Sequence, residues 1–181
     1  MTSTRIHDPS RSTAAQPAFS RRHSLMLLGL GASALALRPA RLLGQTGHLV
    51  TAYNRAPGGA QMAFAPAVLR ISSDDSVRFA HADRGHNSQS FDDMLPDGAT
   101  GFGGGIGEEF DVTFDVEGVY GYFCRPHQAM GMIGYVLVGD FTDNLEAVRN
   151  ASAALRGPMA ARRVAEYMEQ ITAIARSEGL I

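Results

Sequence analysis

Phe110, Val112, Phe114 and Val116 alternate with Asp111, Thr113 and Asp115. A strict two-residue period buries one face and wets the other only if this segment is an extended strand in an antiparallel sheet. Short apolar runs of the same kind occupy residues 49–53, 67–71, 76–80, 119–124 and 133–138, separated by turn residues such as Glu117-Gly118 and Gly139-Asp140. Seven or so strands at this spacing predict a mainly β domain, a sandwich of two sheets reaching to about residue 140. The pattern then changes period. Residues 144–155 read as one helix, and Pro158 opens a second in which Val164, Tyr167, Met168, Ile171, Ile174 and Ala175 recur at helical spacing, with Gly179 as its stop. That stripe predicts packing against the sandwich, with helices over 144–178. Arg162-Arg163 reads as a solvated helical turn.

The first 44 residues do not share this grammar. A polar start leads through Arg21-Arg22 into residues 25–37, a moderately apolar run rich in Gly and Ala and followed by Arg38 and Arg41. This is the form of an export signal. The run is shorter than the roughly 20 apolar residues that a membrane-spanning helix needs, so no stable membrane association is expected. The Arg pair resembles a twin-arginine signal, with Ser24 and Met26 standing where that motif usually has Phe and often Lys. The general secretory route is the alternative. Either implies a periplasmic protein, with cleavage between 36 and 47 and a single domain over 45–181.

Six of the sixteen arginines lie at or before Arg41, together with one acidic residue, Asp8. The remainder carries ten Arg, no Lys and seventeen Asp plus Glu, a formal charge of −7. Nucleic acids and anionic membranes demand a basic footprint, so neither is an expected partner. The Gly101 to Gly107 stretch does not have the spacing of a dinucleotide loop, since Ile106 stands where the third Gly belongs. It reads as a flexible loop. Asp92, Asp93, Asp97, Glu108 and Glu109 read as solvated surface.

Cys124 is the chain's one cysteine. In an exported protein it cannot form an internal disulfide, and an exposed thiol would oxidise. Its neighbours suggest what protects it: His127 follows by three residues and Met132 by eight, and a His-Asn pair stands upstream at His86-Asn87. One thiolate, two imidazoles and a weak thioether form the donor set of a trigonal type 1 copper site with a long axial Met. The expected ligands are His86, Cys124, His127 and Met132, holding one copper ion per chain. Met130 competes with Met132 for the axial place. His81 reads as an ordinary strand-end residue.

These residues resemble the pseudoazurins, small blue copper proteins of the cupredoxin class. The resemblance runs from Phe64-Ala65-Pro66 through Gly85-His86-Asn87 and Met94-Leu95-Pro96-Asp97-Gly98 to Gly118-Val119-Tyr120-Gly121 and the Cys124–Met132 loop. It implies a cupredoxin Greek-key β-sandwich with two C-terminal α-helices, and it assigns the axial role to Met132. It also implies that Asn87 ties the two ligand loops together near the sulfur. Pro126 has no N–H to offer the thiolate, and Met62 matches a position that in such proteins packs near the solvent-facing imidazole, with ordinary core packing as the equal alternative. Pseudoazurins generally surround the exposed histidine with lysines. Here Arg55, Arg84 and Arg125 are the candidate docking cations, while Gly103, Gly105 and Phe123 stand where positive charge is often found, so a flatter and more apolar docking face is expected.

The function expected from this set is one-electron transport, not enzymatic turnover. The expected partners are transient redox proteins, a copper or haem reductase or a cytochrome, serving respiration or denitrification, with the carrier a monomer. Copper storage or delivery without electron shuttling is the alternative. It is disfavoured because delivery proteins spread several Met and His over open segments, whereas three of these four donors sit on one closed loop.

Overall fold

Alternating burial explains which strands form and where each turns its side chains. The computed structural model describes residues 47–181, which lie within the compact unit Arg41–Ile181. The expected export segment over 1–44 lies outside the described residues. Eight strands are found among the described residues: β1 (Gly47–Arg55), β2 (Gln61–Ala65), β3 (Val68–Ile71), β4 (Ser76–His81), β5 (Gln89–Ser90), β6 (Phe110–Thr113), β7 (Gly118–Phe123) and β8 (Ile133–Val138). They form two four-stranded sheets, ordered β2-β1-β4-β6 and β3-β8-β7-β5. β1 runs parallel to β4 and β3 parallel to β8, and the remaining pairs are antiparallel. Helices α1 (Leu145–Ala153) and α2 (Pro158–Ser177) follow.

β8 is buried at all six positions. Its odd residues Ile133, Tyr135 and Leu137 join Val148, Tyr167, Met168 and Ile171 of the helices in one apolar cluster. Its even residues Val136 and Val138 join Val50, Val77 and Phe79 of the first sheet in another. A strand covered on both faces reads as a continuous apolar run rather than an alternation. The helices are therefore the third layer over the outer face of the second sheet. Polar fasteners hold them there. Asn144 accepts from the Val119 N–H (2.7 Å) and donates to the Val119 carbonyl (2.8 Å). The buried Tyr135 hydroxyl donates to Ser152 (2.8 Å), and Arg70 pairs with Glu178 (2.9 Å).

Three differences from the expected elements have local causes. The strand expected over 110–116 ends at Thr113. Beyond it the Phe114 N–H and carbonyl are taken by Asp75 (3.0 Å) and Asp74 (2.8 Å), and Asp74 has a left-handed φ of 69°. β2 was not anticipated. Met62 at φ 44° breaks its period, so that Ala63 and Phe64 are buried in succession. Gly101 to Gly107 is a largely exposed loop that is tied to its neighbours at particular points. Gly103 bridges to Gln89, and a Cβ on Gly104 would lie 2.7 Å from the Phe110 ring.

Candidate metal centre

The two-residue period of β7 carries the site's first donor. Tyr120 and Tyr122 point between the sheets, so Cys124, one step beyond the strand's end, has the same parity and is fully buried in the same cluster. Met132 precedes β8 with the parity of Val136 and Val138 and is also fully buried there. Between them the chain makes one 3-10 segment, Arg125–Met130. Pro126 near its start supplies a preset φ, and Gly131 at φ 75° supplies the left-handed stop. The loop closes on itself. The Cys124 N–H donates to the Met132 carbonyl (3.0 Å), and the Met132 N–H donates to the His127 carbonyl (3.1 Å). His86 arrives from the β4–β5 connection, after Gly85 at φ 91°, and is fully buried.

Three donor atoms converge. Cys124 Sγ lies 3.7 Å from His86 Nδ1 and 3.4 Å from His127 Nδ1, and the two Nδ1 atoms are 3.2 Å apart. A metal bonded at about 2.3 Å to sulfur and about 2.0 Å to nitrogen separates its donors by roughly 3.3–3.8 Å, so the triangle is the size of one ion. His86, Cys124 and His127 are also the one group of this kind among the described residues. Their softness suits copper. The state of His86 favours the fit, because a ligating imidazole must be neutral, whereas burial alone favours the protonated thiol at Cys124. Burial first, and then His127 and His81, hold the His86 imidazole below its ordinary pKa, with Asp83 opposing. Burial pushes the Cys124 thiol up, while the backbone N–H groups of Asn87 and His127 pull it down.

The surrounding residues orient these donors. Asn87 Oδ1 accepts from the Arg125 N–H (2.7 Å), and its Nδ2 donates to Gln89 (3.0 Å) and to the Gly104 carbonyl (3.2 Å). It thus bonds the His86 loop to the Cys124 loop. Met62 is half-buried and packs on the cluster that holds Cys124 and Met132. Arg55, Arg84 and Arg125 are exposed, and Arg125 Nε donates to Gln89 (3.1 Å). Met130 is 45% exposed, against 0% for Met132. His81 ends β4 with both ring nitrogens buried and unpartnered, and takes no part in the converging set.

Three residues that shape the site were not recognised from the sequence. Asn54 and Met62 face each other where the β1–β2 ladder lacks its expected pair. On the β4 edge of the strand, the Asn54 N–H donates to Asp83 (2.7 Å). His86 Nε2 donates to Asn54 Oδ1 (3.1 Å), leaving Nδ1 as the free lone pair. Asn54→Ala is expected to lower copper affinity about 10- to 100-fold, the usual cost of losing such an orienting bond, as read by competition titration with a chelator. Gln89 accepts from both Asn87 and Arg125. The third is Arg163, which is 7% exposed, so the expectation of a solvated turn at Arg162-Arg163 fails for its second member. The helical period does mark it: Arg163 stands three residues after Ala160 and four before Tyr167, on the buried face of α2.

A two-sheet sandwich whose last strands and loop bring His₂Cys donors together defines a copper-binding cupredoxin. Residues 50–139 match the family described as copper binding proteins, plastocyanin/azurin family. The chain is 47% identical over 97 residues to pseudoazurin from Methylorubrum extorquens, which covers 54% of this chain and 65% of that protein. It is 38% identical to pseudoazurin from Paracoccus pantotrophus, covering 58% of this chain and 71% of that one. The crystal structure of pseudoazurin from Methylobacterium extorquens AM1 superimposes with a TM-score of 0.63 at 39% identity, covering 70% of this chain and 99% of that chain. The chain belongs to the pseudoazurins.

Proposed function

We propose that this protein is a periplasmic one-electron carrier whose copper is held by His86, Cys124, His127 and Met132. The observation that carries the reading is the triangle of Sγ and two Nδ1 atoms at 3.2–3.7 Å, closed off from solvent on the His86 and Cys124 sides. Copper bound there supplies a one-electron Cu(II)/Cu(I) couple. The protein's part is to hold the donors still. Cys124 and Met132 are locked by their shared loop-closing bonds, and His86 by Asn54, so little rearrangement accompanies a change of charge. His127 is the one of the three convergent donors that is not fully buried, which makes its imidazole the edge where a partner meets the site.

The surface around that edge supports brief encounters. Pro126, Ala129 and Met130 are exposed on the same loop as His127, Arg162 lines a pocket with Ala129 and Met130, and Arg55, Arg84 and Arg125 are exposed as well. Such an interface would bury under roughly 1,200 Å² in total. The partners are transient redox proteins, and the charged residues make the encounter rate depend on salt within a Debye length of about 8 Å. Export to the periplasm rests on the composition of residues 1–44, and a single cupredoxin domain over 45–181 on the continuity of the described fold. No helix among the described residues is long and apolar enough to cross a membrane.

The test is a visible absorption spectrum of the protein after adding Cu(II), then a stoichiometric reductant. An intense band that bleaches and returns on reoxidation is the expected result, and a colourless complex would make copper storage or delivery the better reading. Met132→Gln is expected to retain the band and lower the reduction potential, because an amide oxygen stabilises Cu(II) more than a thioether does. Potentiometric titration of the pair measures it.

A further inference from the structure

We propose that Arg163 is a positioning residue of the copper site: it clamps the peptide ahead of Met132 and thereby sets where the thioether stands relative to the other donors. The inference rests on the ligand set proposed above. A guanidinium stays charged in a protein, and burying one costs several kcal/mol unless its donors are satisfied. Arg163 is buried on helix α2, and among the described residues no carboxylate forms an ion pair with it. Its donors go to main-chain carbonyls instead. Nη1 donates to Met62 (2.6 Å) and to Gly131 (2.8 Å), and Nη2 donates to Gln61.

Each of those carbonyls bears on a donor. Gly131 is the left-handed hinge of the ligand loop, where a peptide plane is free to turn. Its carbonyl accepts from Arg163 and from the Ile133 N–H (2.9 Å), while the N–H of the same peptide, that of Met132, donates to His127 (3.1 Å). The peptide is held at both ends, and the Met132 side chain leaves directly from it. Met62 is the other anchor. Its left-handed φ of 44° costs energy in a side chain of this kind. It turns the Met62 carbonyl out to Arg163 and opens the ladder gap from which Asn54 reaches His86. One side chain thus steadies both the Met132 end of the loop and the irregularity that orients His86. Simple attachment of the helices does not require it, since Asn144, the Tyr135–Ser152 bond and the Arg70–Glu178 pair already fasten them to the second sheet.

Arg163→Lys keeps the charge and loses the fork, so a change in that variant reports geometry rather than field. In the copper-loaded full chain it is expected to alter the ratio of the visible bands and the electron paramagnetic resonance parameters. It should also shift the Cu(II)/Cu(I) equilibrium at least about threefold, where tenfold is 59 mV for one electron. Arg163→Gln should change the spectrum in the same sense. If either variant has the wild-type circular dichroism, spectrum and potential, the proposal is overturned, even if its Tm falls, because a merely structural role predicts that result. A readout that needs no variant is the Arg163 guanidinium NMR signal, expected to differ between metal-free and Cu(I)-loaded protein; identical signals would overturn the proposal as well. A wild-type protein that stays colourless with Cu(II) would instead remove the ligand set itself.

Discussion

Cys124→Ser is expected to abolish the intense visible absorption of the copper-loaded protein while leaving its fold intact. The band requires charge transfer from a thiolate, and the serine hydroxyl is a harder donor that does not ionise in this range. Cys124 Sγ is the vertex shared by the 3.4 and 3.7 Å edges of the donor triangle, so its loss leaves two imidazoles facing each other at 3.2 Å without a third strong ligand. The swap is nearly isosteric. Cys124 makes its backbone bond to the Met132 carbonyl whatever its side chain, so the loop still closes. Circular dichroism should match the wild type, and the visible spectrum should be flat. An unchanged spectrum would sink the assignment of Cys124 as a ligand.

Gly134→Ala tests the floor beneath the site, and it should destabilise the protein by about 2–3 kcal/mol, as overpacking of a dense core does. A Cβ at residue 134 would stand 2.3 Å from Tyr122 Cζ, 2.4 Å from its hydroxyl oxygen and 2.8 Å from the Ala67 carbonyl. None of these can withdraw cheaply. Tyr122 is fully buried and touches Phe64 and Phe79 at ring separations of 4.8 and 5.3 Å. Ala67 accepts the Tyr135 N–H at 2.7 Å, so moving it disturbs the join of β3 to β8. A fall in Tm of about 10 °C is expected by scaling from domains of this size, measured on the metal-free protein to separate packing from copper binding. Because Tyr122 lies two residues before Cys124 on the same face, copper affinity should fall along with stability. A Tm within a degree of the wild type would mean the core yields more easily than its density implies.

Much of the fold was legible because burial leaves a period in the chain. The β8 run, the alternation at Phe110 and the stripe from Val164 to Ala175 each state which faces are covered, and the elements found follow those patterns. β2 and β5 were not legible. β5 has two residues, too few for any period, and β2 is interrupted at Met62, whose left-handed backbone is held from outside the strand. The end of β6 likewise depends on Asp74 and Asp75, far away in sequence. At the site, Cys124 and His127 were readable because loop spacing itself constrains where they fall, and His86 because Asn87 marks it. Asn54 and Gln89 carry no comparable local mark, and Arg163 is marked by its place on the buried face of α2 alone.

By itself, then, the sequence determined the chemistry available and the layers that enclose it. One thiol with two imidazoles and a thioether at loop spacing admits few metals, and residue periodicities dictate which side of a strand or helix is apolar. Tertiary structure decided the orientation of those donors. Whether His86 presents Nδ1 depends on Asn54, 32 residues away, and whether the Met132 peptide is held depends on a guanidinium that also binds Met62, 101 residues from it. The physical reason is that hydrogen bonds are directional and short-ranged. A pattern of burial can be written in one dimension, whereas the partner of a buried polar atom is chosen only when distant segments meet.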